Sequence, residues 1–315
     1  MNPVSRLASV LSSGRFAVTA ECGPPQGADS QPLQEKGKLI REAVDAVNVT
    51  DNQTAVVRLS SLASAVVLKE LGIEPVLQIV TRDRNRIALQ SDLLGASALG
   101  IRNVLCLTGD HQSFGNQKAA LGVYDLDSIQ LVYAARTMRD HGRLLDGTEL
   151  AASPKLFIGA AANPFADPLG FRVTRLAKKI FAGVDFIQTQ CIYDTDRFEA
   201  WLHEAREEGL TEQVYILGGI TPFKSARMAE YMKEKVAGIE VPEAVLKRIK
   251  GVPAKQQAAE GIKMAVETIE WLKDLDGVAG LHLMAIGWEE KVPEILEASG
   301  LTPRDEPGGT DAKDA

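Results

Sequence analysis

Eight short β-branched runs recur along the chain, most of them separated by stretches of helical periodicity, and this alternation constrains the fold more than any other feature. The runs are AVTAE (17–21), AVNVT (46–50), PVLQIV (75–80), NVLCLTG (103–109), LFIGAA (156–161), DFIQTQ (185–190), VYILGGI (214–220) and GLHLMAI (280–286). Amphipathic stretches between them cover 56–71, 85–99, 128–141, 173–182, 195–208 and 223–235. Several meet the next strand through a glycine stop, as in ELGIEPV and FAGVDFI. Strand–helix alternation at this spacing requires parallel strands joined by right-handed crossovers, and eight units predict a closed α/β barrel of the (β/α)8, or TIM, type. A doubly wound open sheet is the alternative. It is disfavoured because ECGPPQG follows the first run where a dinucleotide-binding GxGxxG turn would open a helix. Two further helical stretches, 241–250 and 253–275, precede the last run as an extra helical layer. Residues 1–302 read as one catalytic barrel domain, and the polar, Gly- and Pro-containing tail 303–315 reads as disordered.

Composition narrows the partners. A net charge of −7 opposes binding to nucleic acid phosphates, so a small molecule is the expected ligand. No apolar run approaches the roughly 18 residues of a membrane span, and MNPVSRLASVLSSGRF lacks the continuous apolar core of a secretory leader. A cytoplasmic location is expected, consistent with three scattered cysteines (Cys22, Cys106, Cys191) and no disulfide framework. The cysteines have no histidine at metal-ligand spacing, so no metal site is expected.

The runs carry more polar residues than barrel strands buried on both faces should. Alternation puts Thr19 with Glu21, Asn48 with Thr50, Cys106 with Thr108, and Gln188 with Gln190 on common faces, with Gln78 and His282 as single polar positions. A buried polar group without a partner costs about 1–3 kcal/mol, so these residues must meet a ligand or one another. Position favours a ligand, because most lie near strand C-termini, where barrel active sites are built; a hydrogen-bonded polar plug is the alternative. Glu21 and Asp110 stand out as carboxylates at the barrel mouth, where desolvation suits one of them to act as a general acid. For TRDRNR (81–86), a salt-bridge cluster between loops is weighed above contact with a phosphate or a substrate tail, and Cys106 and Cys191 read as packing residues.

The chain resembles the methylenetetrahydrofolate reductase family in ECGPP, VNVTDN, TRDRNRIALQSDLLGASALGIRNVLCLTGD, GAAANPFADP, KKIFAGVDFIQTQ and LGGITP, in that order along the barrel. The resemblance implies a flavoprotein that reduces 5,10-methylenetetrahydrofolate to 5-methyltetrahydrofolate by ping-pong hydride transfer through FAD, with NADH or NADPH as donor. It implies Glu21 as the acid that protonates N10 of the folate and Asp110 as the carboxylate that stabilises the resulting cation. Gln190, Asp110 and Thr50 would hold the substrate. Thr50, Asp51, Gln78, Thr108, Gly109, Asp110, Ala161, Asn163, Asp167 and Lys179 would hold FAD. The sequence departs from relatives at Gln78 (histidine there), Thr108 (arginine), Asn163 (tyrosine) and Arg172 (aspartate). Met228 and Met232 stand where a glutamine and a phenylalanine are expected to meet the nicotinamide. Two alternatives stay open: a catalytic subunit fed electrons by an iron-sulfur or zinc partner protein, and a flavin-free pterin-binding methyltransferase barrel. The resemblance leaves homo- or hetero-oligomer formation open.

Overall fold

The computed structural model describes residues 3–236 and 238–301; the tail reading for 303–315 lies outside them. Eight strands close into a parallel barrel in sequence order: β1 (Ala17–Cys22), β2 (Ala46–Val49), β3 (Pro75–Val80), β4 (Asn103–Leu107), β5 (Phe157–Ala162), β6 (Phe186–Cys191), β7 (Tyr215–Ile220) and β8 (Gly280–Leu283). The seam pairs β1 with β8 and sets Thr19 opposite His282. The helices, in chain order, are α1 (Arg6–Ser12), α2 (Gln31–Ile40), α3 (Ser61–Glu70), α4 (Arg86–Ala98), α5 (Ser128–His141), α6 (Arg172–Ala182), α7 (Thr195–Glu207), α8 (Ala226–Lys235), α9 (Glu243–Lys250), α10 (Gln257–Lys273) and α11 (Val292–Ala298). The expected barrel is therefore present, and α9 and α10 form the extra layer before the last strand.

Three helices escape the periodicity reading. α1 and α11 are each seven residues long, too short to show a repeat. α2 (QPLQEKGKLI) is mostly polar and carries a mid-helix glycine. That glycine permits a close contact: a Cβ on Gly37 would lie 2.8 Å from a Leu68 methyl and 2.9 Å from an Ile73 methyl, so a larger residue would require both side-chain tips to shift. α3 starts at Ser61 rather than at 56, because Ser60 turns the chain and its hydroxyl accepts the Ala63 N–H.

The lumen is built in layers. At the bottom, inward residues Ala17, Ala46, Val76, Leu105, Phe157, Phe186 and Leu217 pack against Leu7, Val10 and Leu11 of α1, which closes the N-terminal end. α1 is held there by Glu74, whose carboxylate accepts the N–H groups of Arg6 (2.7 Å) and Leu7 (2.8 Å). Above lies a polar layer in which the Asn48 and Gln188 amides exchange hydrogen bonds of 2.6 and 3.0 Å. Gln188 also donates to Thr19 Oγ1 (3.1 Å), which lies 2.9 Å from His282 Nδ1. The plug foreseen as an alternative thus exists for Thr19, Asn48, Gln188 and His282, one layer below the mouth.

β4 corrects one parity. Leu105 and Leu107, not Cys106 and Thr108, face the lumen. Cys106 packs in the apolar layer between sheet and helices, and Thr108, past the strand end, accepts the Ser128 N–H at 3.1 Å where α5 begins. The more polar parity of this strand points away from the lumen because its hydroxyl serves a helix start.

Candidate active site

At the C-terminal end of the strands the lumen opens into a cavity of about 470 Å³, within the range of small-molecule sites. Gln188 and His282, the top of the polar layer, form its floor; Glu21, Gln78 and Gln190 rise around it. One wall follows the chain from the end of β5 at Ala161 through Asn163 to Asp167, and continues along Arg172, Arg175 and Lys179 on one face of α6.

Glu21 is the most perturbed acid bordering this space. Burial pushes its carboxyl up from the usual 4.5 to about 7, and the nearby Glu289 carboxylate pushes in the same direction. Hydrogen bonds from Gln53 and Gln78 oppose the rise, the former from Nε2 to Glu21 Oε1 at 3.1 Å. A carboxyl poised near neutrality can both hold and release a proton. The next residue, Cys22, packs outward, and burial holds its thiol at about 12. His282 is driven down to about 3 by burial, so the floor is neutral. On the wall, Lys179 is lowered to about 8 by burial and by Arg175, and its ammonium donates to the Ala161 carbonyl.

The residues singled out in the sequence fall into two groups. Glu21, Gln78, Gln190, Ala161, Asn163, Asp167 and Lys179 line the cavity together. Thr50, Asp51, Thr108, Gly109 and Asp110 lie outside its lining, and most of them tie loops together. Asp51 accepts the Val80 N–H (2.9 Å) and pairs with Arg84 at 2.6 Å. Gly109 turns the chain at φ +89°, close under Val80. Asp110 accepts the Thr54 N–H at 3.2 Å, while its own carbonyl receives Arg82. Thr50 is buried and its hydroxyl has no hydrogen-bond partner among the described residues. The TRDRNR run is the salt-bridge cluster its charge pattern suggested: Arg82 pairs with Asp83, Arg84 with Asp51 and Asp92, and Arg86 with Asp125.

Two departures noted in the sequence have local partners. The Asn163 amide donates to the Gly238 carbonyl (2.9 Å), and Arg172 donates to the carbonyls of Pro164 and Leu169. Met232 is buried, and both Met228 and Met232 pack in the apolar cluster that seats α8 and α9 on the barrel rim. Gln53, Arg175 and Met284 were not anticipated. Gln53 lies past the end of β2, where strand parity no longer predicts direction. Among the described residues no cluster of histidine, cysteine, aspartate or glutamate could hold a metal ion, and no helix is long and apolar enough to cross a membrane.

A solved structure of an uncharacterized protein from Clostridium thermocellum that binds two copies of 5-methyl-5,6,7,8-tetrahydrofolic acid shares the fold, with a TM-score of 0.62 at 15% identity over 94% of this chain and 98% of its own. Among curated proteins, the chain is 24% identical over 248 residues to a probable methylenetetrahydrofolate reductase (NADPH) of Caenorhabditis elegans, covering 77% of this chain and 34% of that protein. It is 26% identical over 259 residues to methylenetetrahydrofolate reductase 2 of Saccharomyces cerevisiae (78% and 40%) and 28% identical over 221 residues to a probable methylenetetrahydrofolate reductase (NADH) of Oryza sativa (64% and 34%). The chain thus spans between a third and two fifths of the length of these relatives. The profile of one family, methylenetetrahydrofolate reductase, matches residues 6–300. With that match over nearly all of a closed barrel, the chain belongs to the methylenetetrahydrofolate reductase family.

Proposed function

We propose that this chain reduces 5,10-methylenetetrahydrofolate to 5-methyltetrahydrofolate in the cytoplasm, a compartment suited to its three buried, unpaired cysteines. The observation that carries the reading is Glu21, a carboxyl lifted to about 7 at the edge of the lumen cavity that opens at the barrel mouth. Opening the five-membered ring of the substrate requires a proton on N10 as its bond to the methylene carbon breaks. Glu21 holds that proton near neutral pH and is left as a carboxylate, which Gln53 and Gln78 then stabilise as hydrogen-bond donors. Gln190, on the same rim, has the amide donor and acceptor needed to read the polar edge of a pterin.

FAD fits the residues present. The wall from Ala161 to Lys179 ends in the cations Arg175 and Lys179, which suit a diphosphate. Thr50 offers a buried hydroxyl that lacks a partner among the described residues. Ala161, Asn163, Asp167 and Lys179 would flank the cofactor along this wall, and Asp51, Thr108, Gly109 and Asp110 would act from the loops behind Thr50. When bound, FAD supplies the hydride that turns the substrate methylene into a methyl group. The plug below the cavity excludes bulk water from beneath Glu21, and this keeps its proton for the substrate.

Glu21→Gln tests the reading: flavin bleaching by a donor should persist in stopped-flow mixing, and reoxidation by methylenetetrahydrofolate should fall by about 10²–10⁴-fold, the usual contribution of a general acid. Full reoxidation in that variant would remove Glu21 from the mechanism. NADH or NADPH is the donor in this reading, in keeping with the names of the relatives. Because Met228 and Met232 of α8 are engaged in packing against α9 and the barrel rim, an electron-transfer protein is the second reading. Flavin reduced by a dye but by neither nicotinamide would decide for the protein donor.

A further inference from the structure

We propose that Gln53 is a positioning residue for the Glu21 carboxyl, presented by a left-handed turn that the neighbouring loops clamp in place. The inference rests on the reading of Glu21 as the acid, but its geometry stands independently. Gln53 Nε2 donates to Glu21 Oε1, and an amide N–H cannot be met by a protonated oxygen acting as donor. A carbonyl oxygen is the better acceptor of the two, so the contact favours Oε1 as the acceptor and Oε2 as the oxygen that carries the proton.

The turn that delivers Gln53 is costly in isolation. Asn52 (φ 45°), Thr54 (φ 54°) and Ala55 (φ 57°) all lie in the left-handed region without being glycine. Such a backbone persists only where its surroundings over-determine it, and here they do so at three points on two loops. After β3, the buried Arg82 guanidinium donates to the Asn52 carbonyl (3.2 Å) and to the Asp110 carbonyl (3.1 Å). After β4, the Asp110 carboxylate accepts the Thr54 N–H. Further along that loop, Gly115 presses on the turn so closely that a Cβ there would lie 1.7 Å from the Ala55 carbonyl oxygen. Asp110 thus reaches the acid through the backbone of this turn.

The groups facing Glu21 from the other elements are few. Gln78 stands beside it from β3 and favours the carboxylate more weakly than Gln53, and Glu289, after β8, is paired with Lys36 of α2 at 2.7 Å. The Cys22 and Cys191 thiols stay protonated, held at about 12 by burial. Gln53 is thus the principal hydrogen-bond donor to the Glu21 carboxylate, and loss of Gln53 should make its proton harder to remove.

The test is the carboxyl titration of Glu21, followed by ¹³C NMR in glutamate-labelled protein and assigned by the resonance that vanishes in Glu21→Gln. Gln53→Leu keeps the bulk and removes the donor; its Glu21 midpoint should rise by about one unit, a tenfold change in proton affinity. Gly115→Ala, which leaves Gln53 intact and displaces the turn, should move the midpoint in the same direction. The pH profile of flavin reoxidation by methylenetetrahydrofolate should shift by the same amount in both. An unchanged midpoint in a folded Gln53→Leu protein overturns the proposal. A shifted midpoint upholds it even where the wild-type protein fails to reduce methylenetetrahydrofolate, an outcome that would remove the proposed function alone.

Discussion

Glu21 shows what strand parity conveys about a single residue. Along FAVTAEC the alternation sends Glu21 to the cavity and Cys22 to the outer layer, as the sequence indicates, because a strand in a closed barrel has no other choice. Its environment also leaves a thermodynamic signature. At pH below 4.5 the carboxyl is protonated in both the folded and the unfolded chain. As pH rises from about 4.5 to about 7 the unfolded chain releases this proton while the folded chain retains it, so stability falls across that window and levels off above it. The full shift corresponds to about 3 kcal/mol, and water in the cavity reduces it, so the expected loss is about 1–3 kcal/mol. Glu21→Gln lacks this titration, and its stability relative to wild type should improve by that amount between pH 4.5 and pH 8 in urea unfolding. Parallel pH profiles for the two proteins would show that Glu21 titrates normally. Gln53 was illegible for the opposite reason: beyond the strand end no periodicity fixes where a side chain points. Asp110 was placed at the mouth by its position after the fourth strand and Thr108 by alternation, and the resemblance added a role for each; in the structure each accepts a backbone N–H that holds a loop or a helix start.

At the scale of elements, legibility followed length and amphipathicity. α5 matches its sequence boundaries because Asp127 and Gln130 form a reciprocal cap at one end and Gly142 closes the other in the left-handed conformation. α10, read from the sequence as part of an extra layer, depends on a contact no periodicity reveals. Gly261 approaches the chain after β7 so closely that a Cβ would lie 1.9 Å from the Phe223 carbonyl oxygen. Backbone cannot yield as a flexible side chain can, so Gly261→Ala forces α10 outward. We expect a loss of about 1–3 kcal/mol from this overpacking, against a gain below about 1 kcal/mol from helix propensity, measurable as a lower denaturation midpoint. An unchanged or higher midpoint would mean that α10 moves freely on the rim. The Tyr193 and Phe223 rings, stacked with centroids 4.4 Å apart, lie beside this joint and should report the displacement in near-ultraviolet circular dichroism.

For the whole molecule, eight strand–helix units were enough to specify closure, since parallel strands with short right-handed crossovers leave few other arrangements. The stopper beneath the barrel could not be read, because it joins residues far apart: α1 is seated by Glu74, 68 residues from Arg6. Leu7 is completely buried there, and Leu7→Ala should cost about 2–5 kcal/mol, as for other large-to-small core changes. Glu74→Ala should loosen the same helix by stripping two backbone N–H groups of their acceptor and the Asn103 amide of one of its two. Limited proteolysis near residue 14 should accelerate in both variants, and resistance equal to wild type would show that α1 is held by other contacts. With apolar and polar layers stacked under the cavity, the lumen is a room with one door. If Glu21 gives up a proton as proposed, its replacement would have to come through the mouth that the product has just vacated, and reloading the acid would become part of the interval between successive visitors.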